Sequence, residues 1–295
     1  MNAVWLLYDD PDYEVNQSYA RLMRERGEER GLNIVTVLLS EIELRMDSNG
    51  RPYCLHRGDP ACPAASLSRQ RSALISRHFE LMGVPVFNNA LVCEICNDKR
   101  ITYQFLAGLP MPDTIFLSSG QTEPSSGTVY PVILKPACSH GGDRILLVHN
   151  EEEWKNAAAQ ILPEPALQQT VVTDAGKDLR VYVLHGQILA GVMRTARSGV
   201  VSNFKQGGQV QLHELTQEER LLAETVIRRF DQAGAPLQMA GVDLLYDQGH
   251  PVLGEVEDVV GSRMLYQTSD LDIVGLYLDG LAAKLHNVND KSNSL

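Results

Sequence analysis

Cross-links are the first thing this chain of 295 residues lacks: its five cysteines, Cys54, Cys62, Cys93, Cys96 and Cys138, are odd in number and scattered. That pattern does not suggest a disulfide framework, and reduced thiols are the simpler expectation. Cys93-Glu94-Ile95-Cys96 has redox or half-zinc spacing, but no second Cys-x-x-Cys or His pair completes a site, so the reading is one buried and one idle cysteine on a helix. Long apolar runs are also missing. Ala3 to Tyr8 and Ile34 to Leu39 fall far short of the roughly 20 residues that span a bilayer. The N-terminus lacks the basic and apolar regions of a secretory signal, so a cytoplasmic chain with no membrane partner is expected. Positive charge is in deficit, with a formal net charge of -11, which argues against nucleic-acid partners because they need clustered cations. Finally, the first strand-to-helix turn offers Asp9-Asp10-Pro11-Asp12-Tyr13 in place of Gly-x-Gly-x-x-Gly, which argues against an NAD site there.

What is present suffices for two or three compact lobes: 44% of residues are hydrophobic and 21% charged. Ala3 to Tyr8 and Asn33 to Leu39 are β-prone and flank helix formers from Asn16 to Arg30, a β-α-β opening. A helix is predicted over Leu67 to Met82, with Arg69, Arg71 and Arg77 on a solvated face, and another over Ala90 to Leu106. Strands are predicted at Val84 to Phe87, Thr114 to Leu117, Tyr130 to Lys135, Ile145 to Val148, Ala166 to Val172, Leu179 to Leu184, Gln187 to Arg194, Gln238 to Tyr246 and Val252 to Glu257. Helices fit Glu151 to Ile161, Thr216 to Ala233 and Asp272 to Leu285, and the polar tail from Asn287 is expected to fray.

The most informative feature is a hairpin of carboxylates. With a loop of Gln248, Gly249 and His250, residue 247 pairs with 251, 245 with 253, and Asp243 with Glu255, while Glu257 follows on the same face. Like charges opposite one another destabilise a sheet. The arrangement calls for a cation, and hard oxygen ligands suit Mg²⁺ carrying a phosphate. Upstream, Val132-Ile133-Leu134-Lys135-Pro136 delivers a lysine at the end of a buried strand, just before Ser139-His140-Gly141-Gly142, whose backbone N–H groups can approach phosphate oxygens.

Taken in order, Asn97-Asp98-Lys99, the Ile-Leu-Lys-Pro strand with its glycine loop, Gln168-Gln169, Lys177-Asp178-Leu179-Arg180-Val181, Ser202 to Gly208, Ala240-Gly241-Val242-Asp243 and Gly254-Glu255-Val256-Glu257 resemble the ATP-grasp superfamily, and within it the RimK-like carboxylate-amine ligases. The resemblance covers about residues 85 to 285. It implies an α+β ATP-grasp fold with a Rossmann-like lobe at 1–90, a central lobe at 91–172, a C-terminal lobe with the metal site at 173–288 and a flexible tail at 289–295. It also implies that Lys99 and Lys135 contact ATP phosphates with the Ser139 to Gly142 loop and Lys205, that Gln168, Gln169, Thr170 and Val171 line the adenine pocket, and that Asp178 reaches the ribose. Asp243, Glu255 and Glu257 would hold one Mg²⁺ or two, and Arg180, Arg194 and Asn203 would face the phosphate or reacting acyl group.

The implied reaction joins a carboxylate to an amine through an acyl-phosphate, releasing ADP and phosphate, with an amino acid or short peptide as substrate and, by analogy, a homo-oligomer as the assembly. Two departures stand out. Glu257 replaces the family's usual asparagine, and Asp258-Val259-Val260-Gly261 replaces its usual small-residue and proline turn. Arg263, just beyond, is the candidate for a substrate carboxylate. A small-molecule kinase, a carboxylate-thiol ligase and a nucleotide sensor with weakened catalysis are the alternatives.

Overall fold

The computed structural model describes residues 3–142, 144–196 and 208–292. The chain opens with β1 (Val4–Tyr8), α1 (Asp10–Glu28), β2 (Ile34–Leu38), β3 (Ile42–Met46), β4 (Pro52–His56), β5 (Asp59–Ala61), β6 (Ala65–Ser68), α2 (Ala73–Leu81) and β7 (Val86–Phe87). Four of these strands form a parallel sheet in the order β2-β1-β6-β7, and β3-β4-β5 form a separate antiparallel meander that the sequence reading did not foresee. Helix α1 begins before Asn16, where it was expected, because Asp9 accepts a hydrogen bond from Asp12 N at 2.9 Å and Pro11 is tolerated in a first turn. The helix expected from Leu67 is corrected too. Ala65 to Ser68 are all buried and pair in parallel with β1, so the chain cannot coil until it has left the sheet. Gln70 fixes the turn, accepting from Ser72 N and donating to the Ser68 and Ser76 hydroxyls. Arg69 and Arg71 therefore leave the carboxyl end of β6 and line a cleft instead of a solvated helix face, whereas Arg77 is on α2 and pairs with Glu94.

Next come α3 (Ala90–Cys96), α4 (Lys99–Phe105), β8 (Thr114–Leu117), β9 (Val132–Pro136), β10 (Leu146–Val148), α5 (Glu151–Ile161) and β11 (Ala166–Thr170). The helix expected from Ala90 to Leu106 is two helices. Asp98 accepts from Arg100 N at 2.9 Å and caps a fresh start, which places Lys99 at the first position of α4. Cys93 and Cys96 are both buried on α3, so neither is idle at the surface. The strands form an antiparallel sheet, β10-β9-β11-β8, with the buried Trp154 of α5 against one face.

The remainder is β12 (Lys177–Leu184), β13 (Gln187–Thr195), β14 (Gln209–His213), α6 (Gln217–Gln232), β15 (Met239–Asp247), β16 (His250–Glu257), α7 (Arg263–Thr268) and α8 (Ile273–Ser292). The sheet order is β14-β13-β12-β15-β16, antiparallel throughout. Thr216 and Glu219 form a reciprocal capping box that starts α6, whose apolar face completes the largest core cluster. Helix α8 runs to Ser292, past the predicted end at Leu285, because neither glycine nor proline occurs between Leu285 and Ser292. Among the described residues no helix is long and apolar enough to cross a membrane.

Candidate active site

The hairpin of β15 and β16 brings its carboxylates together by a different route from the one predicted. Its turn has two residues, Gln248 (φ 52°) and Gly249 (φ 80°), so Asp247 pairs with His250 and Leu244 with Leu253. That register alone would put Asp243 opposite Gly254. A bulge at Gly254 restores the Asp243–Glu255 pair, and only glycine fits there comfortably, since an added Cβ would sit 3.0 Å from the Asp243 carbonyl oxygen. Asp243, Glu255 and Glu257 each offer an oxygen within 4.8 Å of the others.

Two arginines on neighbouring strands compensate this charge. Arg180, the register partner of Asp243 on β12, donates from Nε to Oδ1 at 2.7 Å and from Nη2 to Oδ2 at 2.6 Å, and pairs with Glu257 at 2.9 Å. Arg194 on β13 donates to Asp243 Oδ2 at 2.6 Å and also holds Asp178. Lys99 lies 3.4 Å from Glu255. Burial works against ionisation of Asp243, but the Arg180 and Arg194 guanidiniums hold its carboxyl down at about 2. Burial likewise opposes ionisation of Glu255, which Lys99 keeps below its ordinary range, whereas burial and the neighbouring Asp243 and Glu255 carry Glu257 above its own despite Arg180. Hard oxygens clustered within one cation's reach fit Mg²⁺. Asp178, Asp243, Glu255 and Glu257 line one cleft with Arg180, Arg194, Lys99 and Lys135.

That cleft measures about 800 Å³, enough for a nucleotide and a second substrate. Lys135, on β9, is 8% exposed and makes no ion pair among the described residues; burial lowers its pKa, with Glu255 opposing. Its ammonium lies 5.9 Å from the Tyr103 ring centroid. Lys99 Nζ donates to the Ser139 carbonyl at 2.5 Å, tying α4 to the glycine loop. Burial, with the Arg71 and Lys99 charges, pushes the His140 imidazole down to about 4, so it stays neutral near pH 7. Gln169 donates to the Tyr103 hydroxyl at 3.1 Å and to Thr114 Oγ1 at 2.7 Å, and Tyr103 donates to the Gly254 carbonyl at 2.6 Å.

A family model for the RimK-like ATP-grasp domain matches residues 108–280. The chain belongs to the RimK-like ATP-grasp family. A probable alpha-L-glutamate ligase of Parasynechococcus marenigrum is 30% identical over 297 residues, covering 95% of this chain and 62% of the relative, so the chain spans less than two thirds of that relative's length. N-acetylaspartylglutamate synthase A of Homo sapiens is 30% identical over 311 residues, covering 97% of this chain and 78% of the relative. The structure of D-alanine–D-alanine ligase from Bacillus anthracis complexed with ATP superposes with a TM-score of 0.73 at 15% identity, covering 99% of this chain and 100% of that one, which shows a common fold.

In this RimK-like chain Lys99, Lys135, Ser139, His140, Gly141, Gly142, Gln169, Thr170 and Val171 line the same cleft as Asp178, Arg180, Arg194, the three carboxylates and Arg263. Gln168 does not join them. Strand alternation turns it to the opposite face of β11, where it accepts from Trp154 Nε1 at 2.7 Å and donates to Thr128 Oγ1 at 3.3 Å. Asp178 lines the cleft but is committed to Arg194, a pair with which any ribose contact competes. Asn203 and Lys205 lie outside the described residues. Sequence reasoning missed Tyr103, which joins the Gln169 wall to the bulge beside Glu255, and Asn97, whose amide donates to Asp258 Oδ1 at 3.0 Å. Burial pushes that Asp258 carboxyl up to about 6. Asn97 was part of a recognised motif; nothing local marks Tyr103, whose partners are distant in sequence.

Proposed function

We propose that this chain joins a carboxylate to an amine at the expense of ATP, forming an amide through an acyl-phosphate and releasing ADP and phosphate. The observation that carries the reading is the convergence of Lys99, Lys135, Arg180 and Arg194 with Asp243, Glu255 and Glu257 on one cleft. Lys99, Lys135 and the Ser139 to Gly142 loop would bind the ATP phosphates, and the Gln169 to Val171 edge the adenine. Asp243, Glu255 and Glu257 would hold magnesium, which when bound neutralises charge on the transferring phosphoryl group.

An acid's carboxylate oxygen attacks the γ-phosphorus; a new O–P bond forms as the β,γ-bridging bond breaks and ADP leaves. The amine nitrogen then attacks the acyl carbon, a C–N bond forms, phosphate departs and the nitrogen gives up its proton. Arg180 and Arg194, buried and already oriented by carboxylates, offer fixed donors to developing negative charge with little reorganisation.

Because two relatives are named for glutamate and N-acetylaspartylglutamate, the substrates proposed are an amino acid or short peptide, with L-glutamate on the amine side. Arg263, exposed at the start of α7, is the proposed contact for one substrate carboxylate at the cleft mouth. The test is ADP release by the purified protein with Mg-ATP, L-glutamate and pooled acids, with mass spectrometry of the products. A product lighter by one water than its precursors supports ligation; one heavier by a phosphate moves the protein to the kinases.

A further inference from the structure

The cleft is also lined by a cation that nothing above employs. Arg69 leaves the carboxyl end of β6 with its guanidinium 4.7 Å from the Tyr19 ring centroid and the Tyr8 hydroxyl buried against it. Nη1 donates to the Val260 carbonyl at 3.0 Å, and Nε finds no acceptor. No carboxylate pairs with Arg69 among the described residues, in contrast to Arg180 and Arg194. The Asp258 carboxylate feels the Arg69 charge but makes no ion pair with it, so this guanidinium held among tyrosines is incompletely compensated and costly to desolvate, and an anion entering from the cleft would relieve that cost.

Its surroundings specify which anion. Lys99 and Lys135 attend the glycine loop and Glu255, where the phosphates are proposed to bind. Arg71 lines the same cleft and is held by Asp12 of the first turn of α1. Val260 lies three residues beyond Glu257, so the anchor of Arg69 continues directly from the strand that carries the metal-site carboxylates. A planar guanidinium anchored on the segment just after this strand, and lining the same cleft, suits a substrate carboxylate.

We propose that Arg69, with Arg71 beside it, receives a carboxylate of the amine-side substrate and so orients its amine toward the reacting acyl group. The substrate class is an α-amino acid or peptide with a free carboxylate. The inference rests on the ligase reading above, and L-glutamate, with two carboxylates, would use Arg69 within the cleft and Arg263 at its mouth.

Calorimetric titration of the full chain with L-glutamate at saturating Mg-ADP tests it. The wild-type protein is expected to bind L-glutamate, and Arg69→Met to bind it at least about tenfold more weakly while its Mg-ADP affinity changes by less than about twofold. In the wild-type protein, replacing the engaged carboxylate by an amide, in either L-glutamine or isoglutamine, is expected to weaken binding by a similar factor. This comparison needs no variant and decides the matter if Arg69→Met fails to fold. Undetectable L-glutamate binding, an Arg69→Met protein that binds it like wild type, or two amides that bind as tightly as the acid would overturn the proposal. A joined product formed without such discrimination would leave the ligase standing and remove the Arg69 subsite; carboxylate discrimination with no joined product from any acid would do the reverse.

Discussion

Arg180 grips both oxygens of Asp243, its register partner on the adjacent strand, at 2.7 and 2.6 Å, and the pair is almost wholly enclosed. Breaking a buried pair by removing one partner costs roughly 3–5 kcal/mol, because the other charge is left uncompensated. Here the loss is cushioned: Arg180 keeps Glu257 and Arg194 keeps Asp178. Asp243→Asn is therefore expected to remain folded, with an unchanged far-ultraviolet spectrum, while Mg-ATP turnover falls by more than about 100-fold, since a ligand of the proposed metal is lost. Near-normal turnover at saturating Mg²⁺ would remove Asp243 from the site.

Lys135 is the opposite case, a buried ammonium with no carboxylate in contact among the described residues. Its folded pKa lies below that of the unfolded chain, so between the two values the unfolded chain binds more protons, and this site's contribution to stability rises with pH. Lys135→Met is expected to melt at or above the wild-type temperature at pH 7, with the advantage shrinking as pH approaches the ordinary lysine range. ATP turnover is expected to fall by roughly 10²–10³-fold, as when a positioned electrostatic donor is removed. Thermal melts at several pH values, with steady-state rates, check both.

Tyr103→Phe removes a hydroxyl that donates to the Gly254 carbonyl and accepts from Gln169. Both partners lose a buried hydrogen bond, so a stability loss of about 1–3 kcal/mol is expected from denaturant unfolding. The KM for ATP is expected to rise more than kcat falls, because Gln169 and the bulge beside Glu255 lose their common tether. An unchanged KM would make Tyr103 a packing residue only.

His140 gives a pH signature. Its folded pKa of about 4 lies below the ordinary imidazole value, so on acidification the unfolded chain protonates first. Its contribution to stability is fully present above about pH 6.5 and is lost as pH falls toward about 4. An imidazole resonance that titrates near 6.5 would contradict the burial effect on the His140 ring, and His140→Gln is expected to flatten stability across that window.

Much of this site was legible before the structure. Asp243, Glu255 and Glu257 share a face because strand alternation has period two, and Lys135 announces itself as a charge ending an apolar run. The predicted pairing of Asp243 with Glu255 survived an incorrect turn because two deviations cancel: the turn is one residue shorter than expected and Gly254 bulges by one. Neither event is visible in hydrophobic periodicity. Arg69 and Arg71 were misplaced on a helix because Leu67 to Met82 has adequate helical composition, yet parallel pairing with β1 keeps Ala65 to Ser68 extended. Gln168 and Gln169 are neighbours of one residue type, and only the sheet shows which faces the cleft. Long-range pairing supplied what local propensity could not.

The most direct test of acyl-phosphate ligation uses an acid whose carboxylate is enriched in the heavy oxygen isotope, supplied with Mg-ATP and L-glutamate. An amide product is expected, with one labelled oxygen in each released phosphate, transferred as the acyl–oxygen bond breaks. ADP release with unlabelled phosphate, or with no amide formed, would contradict it.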